Sequence, residues 1–222
     1  MTTIITKNTV NPIYVEDLPV TDQSLIYAEK AGRIVVYTGS TNISVPVPNL
    51  DLEGSGFKAA LGIVAAGVNE NVYGGSSISI SKLIVKSVYG GSLVSSKNDP
   101  AKPKVAKKYI DGQFAIFEGN TDISLVSGRF SKVYGGGGGY GSEVTGDTNI
   151  TYVGGRVSTI YGGGDVGSIV AGSTNITITG STTDFNRISK IYGGGNSSTV
   201  VGDTNITLSA DAALLNFTGS IY

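Results

Sequence analysis

The sequence predicts an all-β protein, a parallel β-helix (β-solenoid) of about five to six turns with a small N-terminal segment outside the repeats. Three observations carry this prediction. Two short phrases, YGG and TNI, recur along the chain, apolar and polar residues alternate within each repeat, and all six prolines lie before the regular repeats or in one loop. We expect residues 1–56 to form an N-terminal anchor or cap. We expect residues 57–222 to form the solenoid, with an excursion loop at about 92–112.

The repeats align over almost their whole length. The stretch 148–161, TNITYVGGRVSTIY, matches TDISLVSGRFSKVY at 121–134 without a gap, and also SSISISKLIVKSVY at 76–89. Two further copies, from 174 and from 204, carry the same five-residue insertion before their closing tyrosines. A period of this length indicates stacked units, none of which can bury its apolar face alone.

Each repeat contains three short apolar runs separated by glycines, and Ile, Val, Thr and Tyr dominate the runs. These residues favour strands, and three strands with three corners make one turn of a parallel β-helix. A helical repeat would need two longer helices, which the glycines disfavour. Proline is absent from the regular repeats because a strand paired on both sides needs every amide donor.

Stacked turns superpose equivalent residues about 4.8 Å apart, so the alignment predicts columns of inward side chains. Serines and threonines between the first two columns, such as Thr177, are expected to face outward. The first column contains Ile78, Ile123, Ile150, Ile176 and Ile206; the second Ile80, Leu125, Tyr152, Ile178 and Leu208; the third Val85, Phe130, Val157 and Ile188; and the fourth Val88, Val133, Ile160, Ile191 and Ile221.

Two segments depart from the repeat. VTDQSLIYAEKAG at 20–32 has a capping residue, Thr21 or Asp22, and a stop at Gly32, which predicts a short helix. An echo of the GSTNIT phrase at 39–44 raises the alternative that the solenoid begins earlier. Residues 97–108 carry five lysines and one aspartate, so we expect an exposed loop without an apolar face.

Composition excludes several classes of site. The chain has neither cysteine nor histidine, which excludes disulfides, thiolate metal sites and Ser-His-Asp triads. Its net charge is −1, so nucleic acid is not expected as a partner. No apolar run approaches the roughly 18 residues of a membrane helix. The opening MTTIITKNTV lacks the regions of a secretory signal, so we expect synthesis in a host cytoplasm without Sec export.

An asparagine ladder is predicted at one corner, from Asn149, Asn175 and Asn205, with Asp122 one turn earlier. Stacked amides hydrogen-bond along the axis. The neighbouring Ile150, Ile176 and Ile206 form an apolar ladder. We predict no cofactor and no metal, because GGGGGYG at 135–141 precedes no helix pattern and the GGGD at 162–165 lacks the nine-residue recurrence of calcium motifs.

Two columns are candidate binding surfaces. Tyrosines close the repeats, and a semi-buried stack is the favoured interpretation; the alternative is a sugar-binding platform. Three arginines also align, and either form a solvated face or meet a neighbouring chain or an acidic partner. We predict no catalytic residue, because Asp147 and Asp203 share the repeat position of Ser173 and so mark a corner. The candidate surface residues are Tyr134, Tyr161, Tyr192, Arg129, Arg156 and Arg187.

The phrase V-x-G-D-T-N-I-T, followed by G-G-x-V-x-x-I-Y-G-G-G, resembles the glycine-rich β-solenoid repeats of large bacterial and phage surface proteins. The resemblance covers about residues 57–222. It implies a non-enzymatic virion element: a phage fibre, spike or head decoration. The alternative is a glycan- or receptor-binding adhesin of a phage tail or bacterial surface. A polysaccharide depolymerase is the third hypothesis.

In the virion interpretation, residues 1–56 contact other virion proteins and the solenoid projects, with a host cell-surface glycan as a further candidate partner. Neither nucleic acid nor a membrane is expected. The stretch 214–222, LLNFTGSIY, contains neither charge nor proline, so a final strand with an open edge would favour pairing with a neighbour. We therefore expect a homo-oligomer, a trimer in the simplest arrangement. The predicted location is the virion, with the cell surface or extracellular space as the alternative.

Overall fold

The computed structural model describes residues 4–6, 13–14, 25–28, 33–35, 49–53, 60–69, 71–96, 105–180, 187–209 and 220–222, with side chains from residue 62 onward. These residues form strands and corners, and no helix among them is long and apolar enough to cross a bilayer. The strands are β1 (Ile4–Thr6), β2 (Ile13–Tyr14), β3 (Leu25–Ala28), β4 (Arg33–Val35), β5 (Asn49–Glu53), β6 (Ala60–Val68), β7 (Val72–Tyr73), β8 (Ser76–Ser81), β9 (Leu83–Leu93), β10 (Ala115–Glu118), β11 (Thr121–Leu125), β12 (Gly128–Tyr134), β13 (Ser142–Val144), β14 (Thr148–Tyr152), β15 (Arg156–Tyr161), β16 (Ile169–Val170), β17 (Thr174–Ile178), β18 (Arg187–Tyr192), β19 (Thr199–Val200), β20 (Thr204–Leu208) and β21 (Ser220–Ile221).

The strands pair into three sheets. Sheet A has the order β1-β4-β3-β6-β9-β12-β15-β18-β21, sheet B the order β2-β5-β8-β11-β14-β17-β20, and sheet C the order β19-β16-β13-β10-β7. Pairing is parallel except where β4 meets β1 and β3. Consecutive strands such as β14, β15 and β16 lie in sheets B, A and C in turn, and we call such a set a rung. The fold is therefore all-β, with three parallel sheets stacked as in a parallel β-solenoid.

The predicted columns are confirmed by the strand register. Ile150 pairs with Ile123 on one side and Ile176 on the other, and Val157 pairs with Phe130 and Ile188. From β8 to β18 the side chains of all four columns form one apolar core between sheets A and B, and Ile206 packs against it. Leu208 and Ile221, which the alignment predicts to face inward, are instead 54% and 45% exposed, because β20 and β21 are the edge strands of their sheets in the part of the chain that the structure describes.

Sheet C adds a second apolar column that the sequence analysis did not name. Val72, Phe117, Val144 and Val170 are fully buried and pack together with Ala66. They come from strands of two to four residues, too short for period-two alternation to be visible in the sequence.

Two expectations for the irregular segments are wrong. Leu25–Ala28 is a strand, β3, and not part of a helix, because it pairs in parallel with β6 through Leu25 and Ile63. In the lysine-rich loop, Ala106 is buried against Val94 and Ala115, so the loop does contribute an apolar contact. Residues 39–44 and 97–104 lie outside the described residues.

Parallel pairing extends upstream of residue 57. Strand β5 pairs with β8 through Leu50 and Ile78, and β2 pairs with β5 through Ile13 and Leu52. The role of residues 1–56 as an anchor stays a prediction.

Candidate functional site

A side-chain hydrogen bond joins the strand that begins a repeat to the glycine corner that ends it, in the rungs that start at Ser76, Thr121, Thr148 and Thr174. The hydroxyl of Thr148 donates to the carbonyl of Gly162 at 2.6 Å, and Thr121 does the same to Gly135 at 2.7 Å. Thr174 reaches Gly193 at 2.6 Å although the five-residue insertion lies between them. The threonines are fully buried, so each bond satisfies a carbonyl at a corner that water does not reach. We call these contacts the Thr–Gly ties. The separation of 14 residues between Thr121 and Gly135 and between Thr148 and Gly162 was visible in the sequence, but the hydrogen bond that it indicates was not predicted.

The first glycine of three YGG phrases, Gly90, Gly135 and Gly162, is required by the neighbouring rung. A Cβ on Gly135 would meet the carbonyl oxygen of Gly162, and a Cβ on Gly162 would meet that of Gly193. The threonine of that neighbouring rung, Thr148 beside Gly135 and Thr174 beside Gly162, also has side-chain atoms within 3 Å of the added Cβ. Close approach of backbone to backbone, more than left-handed φ, therefore explains these glycines.

The asparagine ladder runs along the outer side of sheet B. The amide of Asn175 donates to Asn149 at 3.0 Å, Asn205 donates to Asn175 at 3.0 Å, and Asn149 donates to Asp122 at 3.0 Å. Each side chain accepts from the following rung and donates to the preceding one. Asp122 lies at the first position of the ladder, where the side chain only has to accept the hydrogen bond from Asn149, so a carboxylate serves as well as an amide.

A second ladder connects the corners that precede the TNI strands. The backbone N–H of Ser173 donates to the carboxylate of Asp147 at 2.7 Å, and that of Asp203 donates to the hydroxyl of Ser173 at 3.2 Å. Asn120 takes the equivalent bond from Asp147. At each step a side-chain oxygen of one rung accepts from the backbone of the next rung, as expected of corner residues.

The tyrosine column is a continuous stack of rings. Tyr89, Tyr134, Tyr161, Tyr192 and Tyr222 have successive centroid separations of 4.9, 5.1, 4.9 and 4.8 Å and lie within 11° of parallel. Each inner ring is covered on both faces by its neighbours. A sugar platform needs an open ring face, so Tyr134, Tyr161 and Tyr192 do not offer one in this arrangement, and Tyr134 is only 1% exposed.

The buried end of the stack is tied to Asp165, in the glycine corner after β15. The hydroxyl of Tyr89 donates to one carboxylate oxygen at 3.2 Å, and the amide of Asn196 donates to the other at 2.7 Å. Asp165 itself is buried. Because Tyr89 and Asp165 are 76 residues apart, this contact fixes one rung against distant ones.

Burial raises the pKa of Tyr89 well above its usual value, and the nearby charge of Asp165 raises it further. The pKa of Tyr134 is raised for the same two reasons, burial first. Burial also raises the pKa of Tyr161. The phenols are therefore held neutral, which suits hydrogen-bond donation to a carboxylate.

The outer side of sheet A carries positive charge in register. Arg129, Arg156 and Arg187 are paired residues on adjacent strands, and all three are exposed. Strands β9, β12, β15 and β18 contain no Asp or Glu. In contrast, the strands of sheets B and C from β7 onward contain Glu118, Asp122 and Glu143 but no Lys or Arg. We call the exposed cations of these four sheet A strands the basic face: Lys86, Arg129, Lys132, Arg156, Arg187 and Lys190.

A shallow groove of ≈ 290 Å³ follows the arginine column. Serines at one repeat position, Ser131, Ser158 and Ser189, form its second side, and its floor includes Phe130 and Val157. The groove therefore brings together guanidinium groups and hydroxyls from three successive rungs. The arginines were predicted from the sequence; the serines beside them were not.

Among the residues that the structure describes, no group of three acidic side chains is placed to hold a metal ion. A comparison with family models, with curated proteins and with solved structures finds no match to this chain.

Proposed function

We propose that this chain is a non-enzymatic structural protein of a phage virion, a fibre, spike or head decoration, that presents a rigid β-solenoid of about five to six turns. The observation that supports it best is the set of ladders along the axis. The Thr–Gly ties, the asparagine ladder and the tyrosine stack each join one rung to its own corner or to the next rung.

Rigidity follows from that arrangement. A solenoid is stabilised by contacts between neighbouring repeats, and here both the apolar core and the polar side chains contribute to those contacts. A catalytic site needs unlike groups that converge at one place, whereas these side chains repeat the same contact in every rung. The resemblance of the repeat phrase to phage and bacterial surface solenoids supports the virion assignment.

The proposal includes a trimer, contacts to other virion proteins through residues 1–56, and a location on the particle. Light scattering of the purified protein tests the trimer: we expect about three times the 22.8 kDa chain mass. A chain mass that stays at 22.8 kDa at micromolar concentration contradicts it.

Immunogold electron microscopy tests the virion assignment. Antibodies against the purified protein are applied to intact particles from a lysate of the producing culture. We expect gold on particle heads or on particle tails, and the position separates a decoration from a fibre. Gold confined to cell envelopes contradicts the virion assignment and favours a cell-surface protein.

A glycan-binding adhesin is the second candidate, and one specific observation favours it. The groove on sheet A combines arginines with serine hydroxyls, which are the groups that bind acidic sugars. Binding to a glycan array tests it. A polymer-degradation assay on the same glycans separates this adhesin from a depolymerase, because only the depolymerase shortens the polymer.

A further inference from the structure

We propose that the basic face binds a linear acidic polysaccharide that lies along the solenoid axis. This proposal deepens the adhesin candidate and rests on it, since it names the surface and the chemical class of the glycan. Its first support is the charge distribution. Six cations are exposed on four adjacent strands that contain no acidic residue, on a chain whose net charge is −1.

The spacing of the charges suits a polymer. Arg129, Arg156 and Arg187 are in register on adjacent parallel strands, so they follow the axis at steps of about 4.8 Å. Like charges at that spacing repel one another. A ligand with anionic groups at regular intervals along a chain can meet a guanidinium at every step, whereas a small anion meets the column at one place.

Arginine favours particular anions. The planar guanidinium presents paired N–H groups that match the two oxygens of a carboxylate or a sulfate. Carboxylates and sulfates are the charged groups of acidic polysaccharides.

The serines beside the arginines favour a sugar as the ligand. Ser131, Ser158 and Ser189 line the same groove as the arginines, and Thr159 lies between Lys132 and Lys190 in the adjoining column. Each hydroxyl can donate and accept, as sugar hydroxyls do. A glycan chain can therefore pair its anionic groups with the arginines and its hydroxyls with the serines.

Nucleic acid fits this face less well. Single-stranded nucleic acid is held by aromatic side chains on which the bases stack, and no outward residue of the groove is aromatic among the residues described. Duplex DNA is read by a helix or a ribbon that enters a groove, whereas this surface is the side of a continuous sheet.

The test is isothermal titration of the intact protein at low ionic strength with oligomers of polygalacturonate, with dextran sulfate, with neutral dextran and with a single-stranded oligonucleotide. We expect binding to the carboxylated or the sulfated polymer that is lost in high salt, and no binding to neutral dextran.

Paired variants localise the site. The double variant Arg156→Ser, Arg187→Ser removes two adjacent guanidiniums and should weaken binding roughly tenfold or more. The matched control, Lys107→Ser with Lys108→Ser, removes the same charge from exposed positions outside the basic face and should change affinity less than about threefold. Circular dichroism confirms that both variants are folded.

Three results overturn the proposal. Equal weakening in the two double variants would mean that net charge, and not this face, controls binding. Tighter binding of the oligonucleotide than of either acidic polymer would assign the face to nucleic acid. Binding of acidic glycan that is unchanged by the arginine double variant would leave the adhesin candidate standing and reject this site. No binding to either acidic polymer also rejects the proposal, and the glycan array then decides the adhesin candidate separately.

Discussion

The hydroxyl of Thr148 donates a 2.6 Å hydrogen bond to the carbonyl of Gly162, 14 residues further along the same rung. The first residue of the TNI phrase and the first glycine of the YGG phrase are thus the two ends of one interaction. The glycine lacks a side chain because the next rung lies against it, and its carbonyl needs a donor because the corner is buried. The two phrases recur together because this bond closes one rung after another.

Replacing Thr148 with Val tests the tie directly. Valine keeps the shape of the side chain but removes the donor, which leaves the Gly162 carbonyl without this bond in a buried corner. We expect the free energy of unfolding to fall by about 1–3 kcal/mol in a urea titration. Thr148→Ser is the control, because Ser76 makes the equivalent bond to Gly90 at 2.9 Å, and it should lose less than half as much. Equal losses in the two variants would contradict the role of the hydroxyl.

Gly162→Ala tests the approach of neighbouring rungs. The added Cβ would meet the carbonyl of Gly193, so the rungs must separate locally, and overpacking of this kind costs about 1–3 kcal/mol. The control is Gly194→Ala, since a Cβ there meets no described atom within 4 Å and its φ is not left-handed. We expect that control to unfold within about 0.5 kcal/mol of the parent. A similar loss in both variants would mean that general flexibility, and not the close approach, requires glycine.

The sequence was sufficient to predict the columns, because stacking in register places each repeat position directly beside the same position of the neighbouring repeat. Ile150, Ile176 and Ile206 superpose as the alignment predicts, although an insertion follows β17. The asparagine ladder was predicted for the same reason, since identical corners put identical side chains beside one another. The tyrosine and arginine columns followed from the same alignment.

What the sequence could not supply depends on contacts between distant residues. Leu25–Ala28 has local helix signals, but pairing with β6 outweighs them. The alignment placed the tyrosines in one column without fixing the tilt of the rings, and that tilt decides whether a face is open. The contact of Tyr89 with Asp165 joins residues at different repeat positions, so no column predicts it.

Ile176→Ala tests the core. Ile176 is 1% exposed between Ile150 and Ile206, and truncation leaves a cavity that a rigid stack cannot fill by collapse. We expect a loss of about 2–5 kcal/mol in the free energy of unfolding. Thr177→Ala, at the neighbouring half-buried outward position, should lose less than about 0.5 kcal/mol. A loss below about 0.5 kcal/mol for Ile176→Ala itself would mean that this residue is not part of the core.

The asparagine ladder has a direction, which a pair of reciprocal substitutions tests. Asn175→Asp removes the donor to Asn149 and places a carboxylate against its amide oxygen, so we expect a loss of about 1–2 kcal/mol at neutral pH. Asp122→Asn keeps the oxygen that accepts from Asn149 and should change the free energy of unfolding by less than about 0.5 kcal/mol. Equal effects at the two positions in a urea titration would show that the ladder has no preferred direction.

The buried tyrosines predict a loss of stability at alkaline pH. Burial, and then the charge of Asp165, raise the pKa of Tyr89 above the value of 10.0 that applies in the unfolded chain, and Tyr134 behaves in the same way. Above pH 10.0 the unfolded chain loses phenolic protons that the folded chain retains. The stability that depends on these neutral phenols is therefore fully present below that pH. It is lost as the pH rises from the unfolded pKa towards the higher folded pKa.

We expect the free energy of unfolding to be insensitive to these phenols between about pH 8 and about pH 9, and to fall steeply from about pH 10 upward. Urea titrations across this range, with tyrosinate absorbance as a second signal, measure the effect. Tyr89→Phe is the informative variant. It should be less stable than the parent at about pH 8, because Asp165 loses a donor, yet lose less stability between about pH 10 and about pH 11, because one raised pKa has been removed. If its stability fell with pH as steeply as that of the parent, the alkaline transition would have to arise from groups other than the tyrosine at the buried end of the stack.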